Sequence, residues 1–310
     1  MTDGQILVPF ALESSLSGVG KRITKDDALW YEREFTVPKK WKGKNIILHF
    51  GAVDWQADVF VNGTPVGAHK GGFDPFSFDI TPYLKKSGKQ ILTVKVQDAT
   101  DNSFQPRGKQ CFINRGIWYT PVSGIWQTVW LEPVNPSHIN NYYVVSDVDN
   151  STMSFEVAAT VAEGDVVKVA VLEGGEGYSA EKPSNAVLAE SVVVDGKAVV
   201  NIPDMKIWSP DSPYLYGIKV SVERNGKVID SVDGYTAMRK ISVVNDKSRN
   251  KYRRMALNNE IMFQFGPLDQ GWWPDGLYTA PTDEALEFDV IKTKELGFNM
   301  IRKHIKVEPA

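Results

Sequence analysis

Flat aromatic rings beside carboxylates are the residues of this chain best suited to chemistry. Trp118-Tyr119, Trp126, and Trp272-Trp273 with Asp269, Pro274 and Asp275 nearby sit in loop-like stretches, and nine tryptophans in 310 residues is a high count. Sugar rings stack their axial C–H groups on such faces and need acceptors for their hydroxyls, so these clusters suit carbohydrate. The competing reading is that tryptophans in β-sandwiches anchor cores and domain interfaces. Other chemistries lack their motifs. Gly18-Val19-Gly20-Lys21 misses the further glycine and preceding strand of a dinucleotide site, and Walker A, HExxH and GxSxG patterns are absent. One cysteine, Cys111, and four scattered histidines, His49, His69, His138 and His304, exclude an internal disulfide and give no zinc spacing. Lys247, Arg249, Lys251 and Arg253 would share one side of a strand, as a phosphate stripe or a solvated edge. Asn62-Gly63-Thr64 and Asn150-Ser151-Thr152 match the glycosylation sequon and read as coincidence.

The composition fits a folded protein with a neutral or small-molecule partner. Hydrophobic residues are 42% and charged residues 24%, and a net charge of −3 offers no field for nucleic acid or an anionic membrane. The longest apolar runs, such as Asn45–Phe50, are far below the roughly 20 residues of a membrane helix. Met1-Thr2-Asp3-Gly4 is not a signal peptide.

The elements that must carry these residues are mainly β. Leu29–Phe35, Ile46–Phe50, Ala57–Val61, Phe76–Ile80, Ile91–Val96 and Thr128–Leu131 alternate or are β-branched, and Asn62-Gly63 specifies a type I′ hairpin. Two prolines in Glu132-Pro133-Val134-Asn135-Pro136 predict a strand end and a link. Tyr142–Val145, Met153–Ala159, Val166–Leu172, Ala198–Ile202, Leu215–Glu223 and Lys227–Val232 predict a second sandwich of immunoglobulin-like size, with a surface loop at 173–184 and a second hairpin at Asn225-Gly226. After residue 241 the pattern changes to a hairpin within Ala256–Phe265, a Gly/Trp/Pro loop over Gly266–Pro281, and a helix. Thr282 caps that helix, Asp283 and Glu284 suit its start, Lys292 and Lys294 its end, and Gly297 its stop. A short strand, Phe298–Arg302, completes one βα repeat of a parallel structure, which needs further repeats to bury its strands. The sequence therefore reads as cut short at its C-terminus.

Several motifs together resemble glycoside hydrolase family 2, which includes β-galactosidases, β-glucuronidases and β-mannosidases. Asp58–Gly63, Gly71-Gly72-Phe73-Asp74-Pro75-Phe76-Ser77-Phe78-Asp79-Ile80-Thr81 and Ser123-Gly124-Ile125-Trp126-Gln127-Thr128-Val129-Trp130-Leu131-Glu132 are similar to its sugar-binding jelly roll. Trp208-Ser209-Pro210-Asp211-Ser212-Pro213-Tyr214-Leu215-Tyr216 and Gly234–Ile241 resemble its immunoglobulin-like domain, and Leu296–Arg302 an early strand of its TIM barrel. The resemblance implies three domains: a galactose-binding-like jelly-roll sandwich over 1–136, an immunoglobulin-like sandwich over 137–241, and an incomplete TIM-barrel catalytic domain over 242–310.

The resemblance further implies the N-terminal part of a retaining, exo-acting β-glycosidase, β-galactosidase-like, acting on terminal β-linked sugars in carbohydrate metabolism. Its acid/base and nucleophile glutamates are expected beyond Ala310, so no catalytic residue is assigned here. Asn259-Glu260, the only pair matching the family's Asn-Glu, reads as a hairpin turn. Arg302 matches an arginine that holds the nucleophile, with a plain internal salt bridge as the alternative. His304 stands two positions on, where β-galactosidases have a sugar-contacting histidine at three. Asp269, Trp272 and Trp273 are candidates for the site wall, and Trp118 lies where those enzymes carry an acidic sugar ligand, so the choice of sugar stays open. No cofactor is implied; some relatives use Mg²⁺ or Na⁺, with no complete site for either here. The expected partner is carbohydrate, not nucleic acid or membrane, with room for a homo-oligomer. Periplasmic or secreted location would follow from a removed signal peptide, and cytoplasmic location otherwise. The alternatives are a non-catalytic carbohydrate-binding module and a structural sandwich array; the βα segment argues against both.

Overall fold

The computed structural model describes residues 3–246, 248 and 252–308. The architecture is mainly β, with sandwich-like sheets and one α-helix among the described residues. Two compact units are present: Met1–Pro133 with Phe265–Ala310, and Val134–Gln264. Residues 242–264 thus fall in the second unit.

In the first unit a four-stranded antiparallel sheet runs in the order Leu29–Phe35, Gln90–Gln97, Gln56–Val61, Thr64–Lys70, and a three-stranded sheet in the order Phe76–Asp79, Asn45–Phe50, Val129–Val134. Strict alternation explains the pairing. Asn45–Phe50 and Gln56–Val61 each bury every second residue, delivering Ile46, Leu48, Phe50, Ala57, Val59 and Val61 to one core with Tyr31, Val94, Val96 and Ile125. The hairpin at Asn62-Gly63 has φ values of 53° and 81°, the positive pair that a type I′ turn requires. Asn62 cannot serve as an open sequon, because its side chain bonds Tyr83 O and Gln90 at 2.9 and 2.8 Å.

The second unit has its own core of Met153, Phe155, Val169, Val171, Ile218, Val220 and Val222. A three-stranded sheet, His138–Asp147, Thr152–Thr160, Lys197–Asn201, accompanies a four-stranded one, Val187–Val192, Asp165–Glu176, Tyr214–Arg224, Lys227–Thr236. A smaller sheet pairs Ile241–Asn245, Arg253–Leu257 and Glu260–Ile261, with the turn at Asn258-Asn259.

Three local expectations are corrected. The strand Val129–Val134 runs through Pro133, which an edge strand tolerates because it needs no donor on its open side. The loop predicted at 173–184 begins later, since Gly175 and Glu176 still pair with Leu215 and Tyr214, and Val187–Val192 is a further strand, paired antiparallel with Lys168–Leu172. The predicted strand at 298–302 contracts to Arg302–Lys303, which pairs parallel with Leu268–Asp269. Of the basic stripe, Lys247, Arg249 and Lys251 lie outside the described residues. The helix forms as expected over Asp283–Glu295, with Thr282 Oγ1 accepting from Ala285 N at 3.2 Å and Gly297 at φ 83°.

Gly124 shows how tightly the Ser-Gly-Ile-Trp motif is built in. Its φ is +92°, and a Cβ there would stand 2.1 Å from the Tyr31 hydroxyl, which accepts from Ile125 N. Gly63 has φ +81° but open space around it. Urea unfolding should therefore show Gly124→Ala losing about 2–4 kcal/mol, from overlap plus backbone strain. Gly63→Ala should lose only about 1–2 kcal/mol, from the strained backbone alone.

Candidate functional site

The sequence-nominated residues gather in the first unit, where the loop over 98–122 meets the segments 266–281 and 302–308. Leu268–Asp269 and Arg302–Lys303 are parallel neighbours, joined through the helix Asp283–Glu295, with Arg302 N bonded to Pro267 O and His304 N to Asp269 O at 2.9 and 2.8 Å. Paired residues of a parallel ladder share a face. Asp269 therefore meets Lys303, whose Nζ donates to Oδ2 at 2.6 Å, while Arg302 lies on the opposite face. Gly271 N donates to Asp269 Oδ1 at 2.7 Å. Burial works to raise the Asp269 pKa, but Lys303 and the Gly271 amide outweigh it and hold the carboxyl below its ordinary value. Asp269 is a fixed anion, not a proton donor.

Trp272 stacks on Tyr119 with centroids 4.4 Å apart and meets Tyr278 edge-on at 4.5 Å. Its indole Nε1 is inaccessible to solvent and unbonded. Trp118, beside Tyr119, has Arg107 over its ring at 5.4 Å. Trp273 closes a tight turn with reciprocal backbone bonds to Leu277 at 2.8 and 3.1 Å. Lys109 Nζ bonds Gln270 Oε1 at 2.9 Å, tying the two loops together beside the aromatic wall. Asp269, Trp272 and, through Tyr119, the Trp118 loop are thus brought into one region. Arg302 is exposed and has no carboxylate partner among the described residues. His304 is half-buried beside this ladder.

Trp126 belongs elsewhere. It is fully buried, donates Nε1 to Gly72 O at 2.7 Å and packs edge-on against Tyr278 at 5.2 Å, an anchor and not a sugar platform.

Sequence reasoning missed the residues beneath the wall. Lys306 is buried with its Nζ 5.4 and 5.3 Å from the Trp126 and Tyr278 rings, donating to Tyr278 O at 2.6 Å and paired with Glu308 at 3.1 Å. Burial lowers its pKa, against the pull of Glu308. Beside it lies a carboxyl network. Gln110 Nε2 donates to Asp54 Oδ2 at 2.9 Å, Ser123 Oγ and Gln105 Nε2 donate to Asp98 at 2.7 and 2.6 Å, and Ser123 N donates to Glu13 at 2.8 Å. Asp54 Oδ1 and Glu13 Oε1 are buried without partners. Burial, then the Asp98 charge, pushes Asp54 well above the carboxylate range, and burial pushes Glu13 up to about 7 despite the Ser123 hydrogen bonds. No motif announces these acids; only the polar pair Ser123 and Gln110 could have hinted at buried acceptors.

Two family descriptions match this chain: the sugar binding domain of glycosyl hydrolases family 2 over residues 19–135, and glycosyl hydrolases family 2 over 137–239. The chain belongs to glycoside hydrolase family 2. It is 29% identical over 283 residues to a β-galactosidase of Thermoanaerobacter pseudethanolicus, covering 88% of this chain and 36% of that protein. A β-glucuronidase of Formosa agariphila is 26% identical over 302 residues, covering 91% and 30%. The chain thus spans about a third of the length of these relatives. Among solved structures, the Ruminococcus gnavus β-glucuronidase has the same fold, with TM-score 0.75 at 22% identity over 96% of this chain and 49% of that one. A β-glycosidase from Bacteroides vulgatus gives TM-score 0.69 at 26% identity over 89% and 33%.

The raised Glu13 carboxyl makes stability pH-dependent. The folded state holds a proton that the unfolded chain releases, so the Glu13 contribution to stability is full below the ordinary glutamate range, is lost as pH rises towards about 7 and then levels, and the raised Asp54 carboxyl acts in the same direction. The loss attributable to Glu13 is about 3 kcal/mol. Urea midpoints measured from pH 4.5 to 8 should show this decline, and Glu13→Gln should flatten its upper part.

Proposed function

We propose that this chain is the sugar-binding, immunoglobulin-like and first barrel portion of a retaining, exo-acting β-glycosidase with β-galactosidase-like specificity. The observation that carries the reading is a parallel strand–helix–strand unit that follows two family 2 sandwiches in the chain and packs its aromatic loop on the first of them. The helix supports the barrel part of the proposal: Leu286, Phe288, Val290 and Ile291 are each half or more exposed, the apolar surface that neighbouring barrel elements would cover. Retention needs two carboxyl groups about 5–5.5 Å apart, one attacking the anomeric carbon and the other protonating the leaving oxygen. The proposal places both outside these 310 residues. Asp269 is committed to Lys303 and Gly271, and Glu260 sits in an exposed hairpin strand.

In this reading the residues here bind and orient. Trp273 and Trp118 offer apolar surface to the terminal sugar, which packs by its C–H groups and loses water on doing so, and Trp272, stacked on Tyr119, backs that wall and presents its remaining edge. Asp269 accepts from a sugar hydroxyl where Lys303 leaves a lone pair free. Arg302, exposed and without an ion-pair partner among the described residues, holds the nucleophile ionised, and His304 donates to the sugar. β-Galactosidases and β-glucuronidases both stand among the relatives, so the sugar is the part of the proposal that experiment decides.

A panel of chromogenic β-galactosides, β-glucuronides and β-mannosides separates these outcomes. The 310-residue chain should be inactive on all of them, and a longer polypeptide carrying it should prefer the galactoside. In that longer protein Trp272→Ala should raise KM about tenfold. Turnover by the 310-residue chain alone, abolished by a substitution within it, would contradict the proposal.

A further inference from the structure

The second unit contains a groove of about 500 Å³ that the hydrolytic reading does not use. Its walls include Tyr143 and Ser146 from the strand His138–Asp147, Tyr235 from Lys227–Thr236, and Trp208 and Arg239 from the flanking turns. Tyr143 and Tyr235 are 64% and 61% exposed. Neither hydroxyl has a hydrogen-bond partner among the described residues. A sandwich gains nothing by presenting two tyrosines to water at one opening, whereas a ligand gains two amphipathic faces of low conformational freedom.

The rigid end of the groove is Trp208. Its backbone is fixed at both ends, N to Met238 O at 2.9 Å and O from Asn258 Nδ2 at 2.9 Å. Arg239 stacks over the indole at 5.0 Å. A stacked guanidinium keeps its planar N–H edge free, and that edge matches a carboxylate bidentately. Arg239 is the only charged residue lining the groove and has no carboxylate partner among the described residues, whereas its neighbour Lys240 is paired with Asp149. The groove is therefore cationic, aromatic and open.

We propose that this groove binds a carbohydrate bearing a carboxylate, a uronic-acid oligosaccharide. Tyr143 and Tyr235 stack on successive sugar rings, and Arg239 takes the carboxylate on its outer edge. The groove belongs to the second unit and shares no residue with the aromatic wall around Trp272, and its ligand need not be the sugar that is hydrolysed.

Isothermal calorimetry of the 310-residue chain with tetragalacturonate and with neutral galactotetraose tests the proposal. Tetragalacturonate should bind and the neutral chain should bind about tenfold more weakly or not at all. Arg239→Lys and Tyr143→Ala should each weaken tetragalacturonate binding about tenfold. Both positions face the groove opening, and unchanged urea midpoints would show that the variants are folded. Absence of binding at about 10 mM saccharide, equal affinity for the two saccharides, or binding untouched by Arg239→Lys would overturn the proposal. So would a longer polypeptide in which Tyr143 and Tyr235 are protected from hydroxyl-radical footprinting without any saccharide, since protein would then occupy the groove.

Discussion

The first unit depends on the cluster formed by Trp126, Tyr278 and Lys306. It joins chain segments some 150 residues apart in sequence, bringing the motif at Ser123–Trp126 against the loop 271–280 and the strand end at 302–308. Aromatic contacts hold it together, and the single Thr279 hydroxyl proton is shared between Trp126 O at 2.6 Å and Pro9 O at 3.0 Å. Lys306 is the unusual member. A buried ammonium is costly unless its donors are met, and here two ring faces, the Tyr278 carbonyl and Glu308 meet them. The aromatic wall of the candidate site stands on this cluster, because Trp272 touches Tyr278 on one side and Tyr119 on the other.

Next to that cationic cluster the protein buries acids. Asp54, Asp98 and Glu13 share the donors Gln110, Ser123 and Gln105, and two of their oxygens remain unbonded. The network fixes the loop 98–122, which carries Trp118 and Tyr119, to the sandwich. Its cost is a proton held in the folded state, so the geometry of the site and the pH response of stability have a common origin.

Much of the fold was legible in the sequence because local and global preferences agree there. Alternation in Ile46–Phe50 and Ala57–Val61, the Asn-Gly turns at 62 and 225, and the cap at Thr282 all act within a few residues and all appear. Where long-range pairing decides, the sequence was silent. Glu173–Glu176 reads as loop but is held in a strand by Tyr214 and Leu215, and Val187–Val192 has no outward sign of its partner. The candidate site divides in the same way. Asp269 and Trp272 stand out by type, but Trp126 stands out equally and is core. Lys306 and Glu13 look like ordinary surface residues in sequence, and only the packed structure shows Lys306 buried and the Glu13 carboxyl withdrawn from solvent.

Native-state hydrogen exchange on the wild-type chain and on Lys306→Met tests most directly whether this cluster positions the site. The methionine keeps the buried stem and removes the ammonium. If the account is right, amides over 266–280 and 302–308 lose protection, while Gln56–Val61 and Gln90–Gln97 keep theirs. Unchanged protection of 266–280, or an equal loss throughout the sandwich, would contradict it.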